Sequence, residues 1–390
     1  MSDRAGSRGA DGPAGDGTAK PPARRRRRRL LRWIGLGMAL LLLVGAGVGW
    51  WTYRTLDSNI TADVPAASEL GRHEAERPAP VVRRALNVLI IGSDSRAGQG
   101  NGRYGRRRGT GRSDTAILLH VAADRKSATA VSLPRDLMVE IPSCLTADGS
   151  RTEERFAQFN WAFQFGGAAC SIRTVEKMTG IRIDHHVVVD FQGFKKVVDA
   201  VGGVEVCLDE PVNDARAKLR LRAGRQTLSG EQALGYVRAR YSLGNGSDTE
   251  RMTRQQQFLA SLVKKVQSNR VLFNPARLYA VLNAATSAVT TDPQLASLRS
   301  LYELVFSMRD IPVARVQFLT VPREPYHANA NRDELIAVDA ARLFQRLRVD
   351  QPVEVVHAEP DRARPSAKPT GSPTPAPAFT GTTAAAATCG

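Results

Sequence analysis

Acidic residues and arginines occur together beside three apolar, strand-like runs. The motifs are Gly92-Ser93-Asp94-Ser95-Arg96, Arg112-Ser113-Asp114-Thr115 and Pro134-Arg135-Asp136. Carboxylate oxygens are the ligands that Mg²⁺ prefers, and Mg²⁺ commonly takes one or two protein carboxylates together with substrate phosphates. Because α/β folds bind ligands just past the carboxyl ends of buried strands, we expect Asp94 and Asp114 to hold Mg²⁺ or Mn²⁺.

The alternative for these aspartates is a structural role in capping turns or helices. For any single aspartate after a strand, capping is the more frequent role. Two aspartates in matching positions beside arginines favour a metal site instead.

Seven arginines have the side-chain type that neutralises phosphate, because a guanidinium donates two parallel hydrogen bonds to phosphate oxygens. They are Arg96, Arg112, Arg135, Arg238, Arg240, Arg251 and Arg254. On a predicted helix from about 248 to 266, Arg251, Arg254 and Gln255 have the spacing i, i+3 and i+4, which places them on one face. The set predicts a pyrophosphate site, although an outer polar helix face would have the same spacing.

Such a site suits phosphoryl transfer, in which positioning and charge neutralisation supply most of the catalysis. Arg135 and Arg240 are the predicted catalytic cations. A carboxylate could also accept the proton of an attacking hydroxyl. Asp114 and Asp136 are both candidates for this general base, and the choice between them requires distances.

The formal charge of +17 on 390 residues does not indicate nucleic-acid binding, because much of it lies in the N-terminal arm, with an unbroken arginine run at 24–29. Residues 33–51 follow without a charged side chain, long enough to span a bilayer. The basic flank predicts a cytoplasmic N-terminus, a signal-anchor helix and an extracytoplasmic domain. A cleaved signal peptide is the alternative, but no small-x-small cleavage site is evident.

Composition divides the rest of the chain. Polar or Pro-rich segments predict disorder or a stalk, whereas apolar periodicity predicts folded parts. The predicted parts are a disordered basic tail (1–29), a membrane helix (30–53), a stalk (54–82), a catalytic domain (83–270), a C-terminal helix and strand extension (271–357) and a disordered tail (358–390). The Gly-rich, arginine-containing loop 103–108 could contact an anionic polymer or simply be mobile, and we favour mobility.

Apolar runs at 85–92, 115–122 and 128–133 predict strands buried on both faces. Helical patterns follow at 171–179, 191–201, 248–266, 275–284 and 293–307, with further strands near 186–190, 203–208 and 313–320. Ser229 and Gln232 have the spacing of a capping box. This alternation predicts a layered α/β/α sandwich with a central mixed sheet, preceded by one transmembrane helix.

Four cysteines fit an oxidising, extracytoplasmic setting. Cys144 and Cys170 are the predicted disulfide, because they flank one loop-helix segment. Cys207 and Cys389 stay unassigned among three possible connectivities.

Several segments, in this order, resemble the LytR-CpsA-Psr family of cell-wall enzymes. They are residues 87–96, 112–115, 132–136, 190–194, 201–204, 228–234, 236–240 and 251–257. The resemblance implies a membrane-anchored phosphotransferase that moves a glycopolymer from a polyprenyl-pyrophosphate carrier to a peptidoglycan hydroxyl. It also implies Mg²⁺ on Asp94 and Asp114, arginines on the pyrophosphate, and an apolar tunnel for the lipid.

This sequence departs from the family pattern at two points. The spacing from Asp94 to Asp114 is longer than in compact members, and Gln158 stands where many members place a lysine. Another basic residue would have to replace that lysine. Three other functions are alternatives. The first is a pyrophosphatase that uses water at the same site, and the second is a non-catalytic polymer-binding anchor, against which the acids at both metal positions argue. The third is a membrane-bound transcriptional regulator, for which the folded region shows no recognition-helix motif.

Overall fold

A computed structural model describes residues 23–93, 111, 113–215, 217–239, 248–267, 275–357 and 378–386. The chain divides after Arg54 into two units. The first unit carries most of a long apolar helix, and the second carries the folded domain.

The apolar helix α1 (Ala23–Ser58) starts the described chain. Its segment Leu30–Ser58 has a mean hydropathy of 1.9 over the most apolar window and is long and apolar enough to cross a membrane. Its 29 residues give a helix of about 43 Å, against a hydrocarbon core of about 30 Å. Residues 23–29 belong to this helix, so the predicted disordered tail overlaps its first turns. Arginine is a good helix former, which lets the helix extend past the apolar stretch.

The other helices of the described chain are α2 (Val64–Arg72), α3 (Asn160–Thr179), α4 (Phe191–Ala200), α5 (Gly230–Arg238), α6 (Asp248–Gln267), α7 (Pro275–Thr286), α8 (Leu298–Ser307) and α9 (Ala337–Arg348). The first strands are β1 (Thr61–Ala62), β2 (Leu86–Ser93), β3 (Ser113–Val121), β4 (Ala128–Leu133), β5 (Met138–Ile141), β6 (Arg155–Gln158), β7 (His185–Asp190) and β8 (Val204–Leu208). The later strands are β9 (Val212–Asp214), β10 (Leu219–Leu221), β11 (Gly224–Leu228), β12 (Val289–Thr291), β13 (Val316–Thr320), β14 (Arg323–Tyr326), β15 (Asn329–Leu335), β16 (Glu354–His357) and β17 (Ala378–Thr383).

A nine-stranded mixed sheet forms the centre, in the order β1-β12-β7-β2-β3-β4-β13-β17-β16. Strands β2 and β3 are antiparallel, as are β3 and β4, while β7 is parallel to β2 and β13 is parallel to β4. Strands β2, β4, β7 and β13 therefore all end at the same edge. The predicted central mixed sheet is confirmed.

Apolar cores cover both faces of the sheet. On one face, Leu89 and Leu118 pack with Ile172 of α3 and Leu343 of α9. On the other face, Ile117, Ala130 and Phe318 pack with Ala260 of α6. Because successive strand residues point to opposite faces, the continuous apolar runs fill both cores, which explains why β2 to β4 show no polar alternation.

Residues 54–82 do not form the extended stalk that their composition predicted. Strand β1 pairs in parallel with β12, and Ala66 and Leu70 of α2 join the core. The Asp63 side chain caps α2 by accepting a hydrogen bond from Ala66 N. A local cap and a few apolar side chains are enough to bind this polar segment to the sheet.

The C-terminal part also belongs to the central sheet. Residues 271–357 supply β12 and β13, and β17 lies between β13 and β16, although 358–390 was predicted to be disordered. Gly381 permits this placement, because a Cβ there would lie 2.3 Å from the Phe318 carbonyl oxygen. An Ala- and Thr-rich segment can thus form a strand when the neighbouring strands provide its backbone hydrogen-bond partners.

The structure joins Cys144 and Cys170 in a disulfide, with Cα atoms 5.5 Å apart. The bond connects the segment after β5 to α3, just after the kink at Gly166 and Gly167. Cys207 is also disulfide-bonded.

Replacing Cys144 and Cys170 together by serine is expected to lower the free energy of unfolding by about 3 kcal/mol, the value expected for releasing a loop closed over a separation of 26 residues. Urea unfolding of the detergent-solubilised chain measures this. An unchanged midpoint would contradict a stabilising role for the bond.

Candidate functional site

One edge of the sheet carries three of the predicted catalytic residues, Asp114, Arg135 and Asp136. Ser93, the last residue of β2, is in register with Asp190, the last residue of β7, and with Ser113 at the start of β3. Asp114 was expected past the carboxyl end of a strand but lies near the amino end of β3. Because β3 is antiparallel to β2, that amino end shares the edge with the carboxyl ends of β2, β4 and β7.

A cavity of about 510 Å³ opens beside this edge. Its polar end is lined by Asp114, Arg135, Asp190, Arg238, Arg251 and Gln255. Its apolar part is lined by Ile90, Ile117, Phe191, Phe194, Phe258 and Leu262. The cavity therefore places cations and carboxylates at one end of a hydrocarbon-lined space.

The sheet and two helices build the apolar part. Ile90 and Ile117 are paired residues on β2 and β3, so they lie side by side on the sheet and line the cavity together. Phe194 of α4 and Phe258 of α6 cover it, with ring centroids 5.6 Å apart. Leu262 lies eleven residues after Arg251 on α6, which corresponds to about 16 Å along the helix. A long apolar chain can therefore extend away from the polar end.

Arg135 connects two carboxylates at the polar end. Its Nη1 lies 3.1 Å from Asp114 Oδ1, and its Nε lies 3.2 Å from Asp136 Oδ2. The Asp114 side chain is 30% exposed, and Asp114 lines the cavity. Asp136 is not among the cavity-lining residues. The two candidate bases therefore differ: Asp114 faces the cavity, whereas Asp136 holds the far side of Arg135.

A hairpin formed by β14 and β15 reaches Asp136 from a distant part of the chain. Gln158 Nε2 donates to Asp136 Oδ1 at 2.8 Å, and Arg332 Nη1 lies 3.5 Å from the same oxygen. Asp333 N donates to the Asp136 carbonyl, and the Asp333 side chain forms an ion pair with Arg323. Asp136 is thus surrounded by donors on both oxygens, and Arg332 supplies a cation beside Gln158.

Helix α5 positions Arg238. Ser229 and Gln232 form the capping box that the sequence predicted at the start of this helix. Arg238 lies in its last turn, with the guanidinium carbon 4.5 Å from the Phe191 ring centroid. This cation–π contact holds an exposed arginine at the boundary between the polar end and the apolar part of the cavity.

Arg251, Arg254 and Gln255 of helix α6 were expected to share the phosphate site, but they do not all line the cavity. Arg251, 5% exposed, and Gln255 both line the cavity. Arg254 instead donates to the carbonyl oxygens of Ala239 at 2.6 Å and Tyr236 at 3.4 Å. Burial lowers the pKa of Arg254 and raises that of Tyr236, because each charged form loses water. Arg254 therefore holds the C-terminal end of α5.

Replacing Arg254 by leucine is expected to lower the free energy of unfolding by about 2 kcal/mol, because two buried carbonyl oxygens lose a charged donor. Arg254→Lys, which keeps a charged donor, is expected to lose less. Denaturant titration of both variants measures the difference. Full stability combined with weaker binding of a pyrophosphate ligand would show that Arg254 contacts that ligand instead.

Comparison with known proteins identifies the family. Residues 58–347 match the sequence pattern of the LytR_cpsA_psr family. The chain belongs to this family. The resemblance drawn from the motifs is thereby confirmed.

Two relatives illustrate the similarity. The chain is 32% identical over 311 residues to "Cell wall biosynthesis protein LcpA" of Corynebacterium glutamicum, covering 73% of this chain and 58% of LcpA. It therefore spans less than two thirds of the length of LcpA. It is 32% identical over 262 residues to the polyisoprenyl-teichoic acid–peptidoglycan teichoic acid transferase TagU of Enterococcus faecalis, covering 66% of this chain and 77% of TagU.

The LytR_cpsA_psr fold is also found among solved structures. The crystal structure of B. subtilis TagV superposes with a TM-score of 0.53 at 24% identity, covering 70% of this chain and 100% of TagV. At this identity the match shows the fold.

Several predicted site residues lie outside the residues that the structure describes. They are Asp94, Arg96, Arg112, Arg240 and the arginines of loop 103–108. Among the described residues, no group of three or more His, Cys, Asp or Glu side chains could form a metal site. Asp114 supplies a carboxylate at the polar end of the cavity, with the hydroxyls of Ser93 and Thr115 also in its lining. One carboxylate and substrate phosphates form a donor set that suits Mg²⁺, so these residues fit the predicted metal.

Two acidic residues that line the cavity were not predicted as site residues. Asp190 caps α4 by accepting from Gly193 N at 2.7 Å, and Asp214 accepts from Ala217 N at 2.8 Å; both line the cavity. Asp190 ends strand β7, so the rule applied to Asp94 would have found it. Asp214 lies on a three-residue strand, for which the sequence gives no comparable signal.

Proposed function

We propose that this protein is a membrane-anchored phosphotransferase. It moves a glycopolymer from a polyprenyl-pyrophosphate carrier to a hydroxyl of peptidoglycan and releases polyprenyl phosphate. The observation that carries this proposal is the cavity, which joins a cationic end to an apolar part. A pyrophosphate attached to a long hydrocarbon chain has the same two-part chemistry. The name of the TagU relative supports the same substrate class.

The carrier pyrophosphate binds at the polar end. Arg135, Arg238 and Arg251 come from three different elements and converge there, so they surround the phosphates with charge. Gln255 adds an amide, whose Nε2 donates to the Val237 carbonyl oxygen and whose carbonyl oxygen can accept from a ligand. The polyprenyl chain lies in the apolar part, against Phe194, Phe258 and Leu262. Excluding water there strengthens each phosphate contact.

Asp114, together with Asp94, would hold Mg²⁺ or Mn²⁺ against the phosphates. Such an ion supplies positive charge that neutralises the nonbridging phosphate oxygens. Ser93 directly precedes Asp94 in the chain and lines the same end of the cavity.

The peptidoglycan hydroxyl attacks the phosphorus next to the glycan. A new bond forms between that hydroxyl oxygen and the phosphorus, and the bond to the bridging oxygen of the pyrophosphate breaks. Polyprenyl phosphate leaves with the bridging oxygen, while Arg135, Arg238 and Arg251 offset the charge that develops on it. The attacking hydroxyl gives its proton to a carboxylate. Asp114 is the better base, because it lines the cavity whereas Asp136 does not.

Helix α1 anchors the protein in the cell membrane as a single-pass helix. The arginine run before it keeps the N-terminus in the cytoplasm, so the folded domain lies outside. The disulfide between Cys144 and Cys170 fits that oxidising compartment.

A reconstituted transfer reaction tests the proposal. Full-length protein in lipid nanodiscs receives a polyprenyl-pyrophosphate-linked oligosaccharide and uncrosslinked peptidoglycan, with Mg²⁺ or with EDTA, and mass spectrometry identifies the products. A glycan-peptidoglycan adduct formed only with Mg²⁺, together with polyprenyl phosphate, is the expected result. Glycan phosphate without an adduct would indicate a pyrophosphatase and contradict the transferase.

A further inference from the structure

Helix α8 is an amphipathic helix with an exposed apolar face. Its sequence is LRSLYELVFS, and none of its residues is buried. Tyr302, Val305 and Phe306 are 59%, 60% and 44% exposed. Their spacing, i, i+3 and i+4, places them on one face. A contiguous exposed apolar face marks an interaction surface, and we call this face the α8 patch.

The side chains of the patch have the amphipathic character of an interface between water and hydrocarbon. The rings of Tyr302 and Phe306 stack with centroids 5.3 Å apart. The Arg309 guanidinium carbon lies 3.4 Å from the Phe306 ring centroid, and Arg299 is 80% exposed at the other end of the helix. Arg299 and Arg309 therefore stand at the two ends of an aromatic and aliphatic face, each in an exposed ion pair, with Glu303 at 2.8 Å and with Asp310 at 3.2 Å. Such side chains bury their apolar parts and keep their charges in the headgroup layer.

The patch begins where the apolar helix α1 ends. Leu298 N, the first amide of α8, donates to Asp57 Oδ1 at 2.8 Å. Asn59 Nδ2 donates to Asn283 Oδ1 of α7 at 2.9 Å. Leu56 is 3% exposed. The last turn of α1 is therefore fixed to α7 and α8 within the folded unit.

We propose that the α8 patch docks on the outer surface of the same bilayer that α1 spans. The covering partner is the lipid interface, with Tyr302, Val305 and Phe306 inserted at the boundary of headgroups and acyl chains. Asp57 lies at the end of the candidate span Leu30–Ser58, so the start of α8 cannot leave the neighbourhood of the membrane. The proposal rests on the membrane anchoring described above, and it does not depend on the transfer reaction.

Docking at this surface would also help a lipid carrier to reach the cavity. Helix α6 lines the apolar part of the cavity through Phe258 and Leu262 and continues to Gln267. Gln267 Nε2 contacts the Ile311 carbonyl oxygen at 3.4 Å, just past the end of α8. The helix that lines the hydrocarbon site therefore ends beside the docking segment. A lipid carrier could enter from the bilayer there without a long passage through water.

Fluorescence quenching by brominated lipids tests the docking. Full-length protein, with the tryptophans of α1 replaced by phenylalanine, is reconstituted at one chain per nanodisc of phosphatidylcholine and phosphatidylglycerol. Val305→Trp reports on the patch. The matched control is Val338→Trp, since Val338 is also 60% exposed but lies on α9, which packs on the opposite face of the sheet from α6. Trp161 is common to both proteins.

Brominated acyl chains are expected to quench the Val305→Trp fluorescence about twofold, because the patch inserts into the acyl boundary, and to leave Val338→Trp unchanged. Tyr302→Trp, a conservative aromatic replacement, is expected to behave like Val305→Trp. Equal quenching of reporter and control, or no quenching at positions 302 and 305, would overturn the proposal. One chain per disc excludes a second copy as the cover. No donor is present, so failure of the transferase proposal would leave this result unaffected.

Discussion

Replacing Asp114 by asparagine is expected to lower the rate of glycopolymer transfer by about two to four orders of magnitude. Asparagine has nearly the same shape, but it lacks the negative charge that would hold a divalent cation and accept a proton. Asp114 is the cavity-lining carboxylate that contacts Arg135, at 3.1 Å. The initial rate of adduct formation at saturating donor measures the effect.

Asp339→Asn is the matched control, because Asp339 lies on the surface helix α9 and forms an exposed ion pair with Arg342. It is expected to transfer at the wild-type rate. An Asp114→Asn variant that folds and still transfers within a few-fold of wild type would remove Asp114 from the chemistry. Loss in Asp136→Asn alone would then identify Asp136 as the base.

Replacing Arg135 by lysine is expected to lower the transfer rate by about 100-fold. The guanidinium of Arg135 contacts Asp114 through Nη1 and Asp136 through Nε, while it also faces the cavity. A lysine ammonium is a point charge and cannot keep this fork geometry. Steady-state kinetics with a soluble short-chain donor separate the effect on kcat from the effect on KM, and the larger change is expected in kcat.

The control for this substitution is Arg342→Lys, a change of the same type at an exposed position of α9, with 59% of the side chain accessible. It is expected to have no effect on transfer. If Arg135→Lys raised KM and left kcat unchanged, Arg135 would only bind the donor. If it lost stability and activity in parallel, its role would be structural.

The elements that could be predicted are those with strong local signals. The apolar run 128–133 matches β4 (Ala128–Leu133), and the helix predicted at 191–201 matches α4 (Phe191–Ala200). Elements with weak local signals were missed. Strand β17 has the sequence AFTGTT within a polar tail, and it is held by its neighbours β13 and β16. Cross-strand pairing determines such strands more than their own propensity.

The site shows the same division. Motif spacing grouped Asp114, Arg135, Arg238 and Arg251, and all four line the same cavity, where Arg135 contacts Asp114. The i, i+3, i+4 spacing could not separate Arg254 from Arg251, because one helix face meets both the cavity and the end of α5. The contact of Arg332 with Asp136 joins residues far apart in the chain. Arg332 lies on β15, so only the tertiary fold brings it to Asp136, which Gln158 also contacts.

Photolabelling tests most directly whether the carrier lies in this cavity. Full-length protein in nanodiscs is irradiated with a polyprenyl-pyrophosphate oligosaccharide that carries a diazirine on its hydrocarbon chain, and mass spectrometry locates the labelled peptides. We expect labelling in α4 and α6, around Phe194, Phe258 and Leu262, and we expect an unlabelled polyprenyl-pyrophosphate competitor to abolish it. Competitor-sensitive labelling at a different surface, with α4 and α6 unlabelled, would contradict the account.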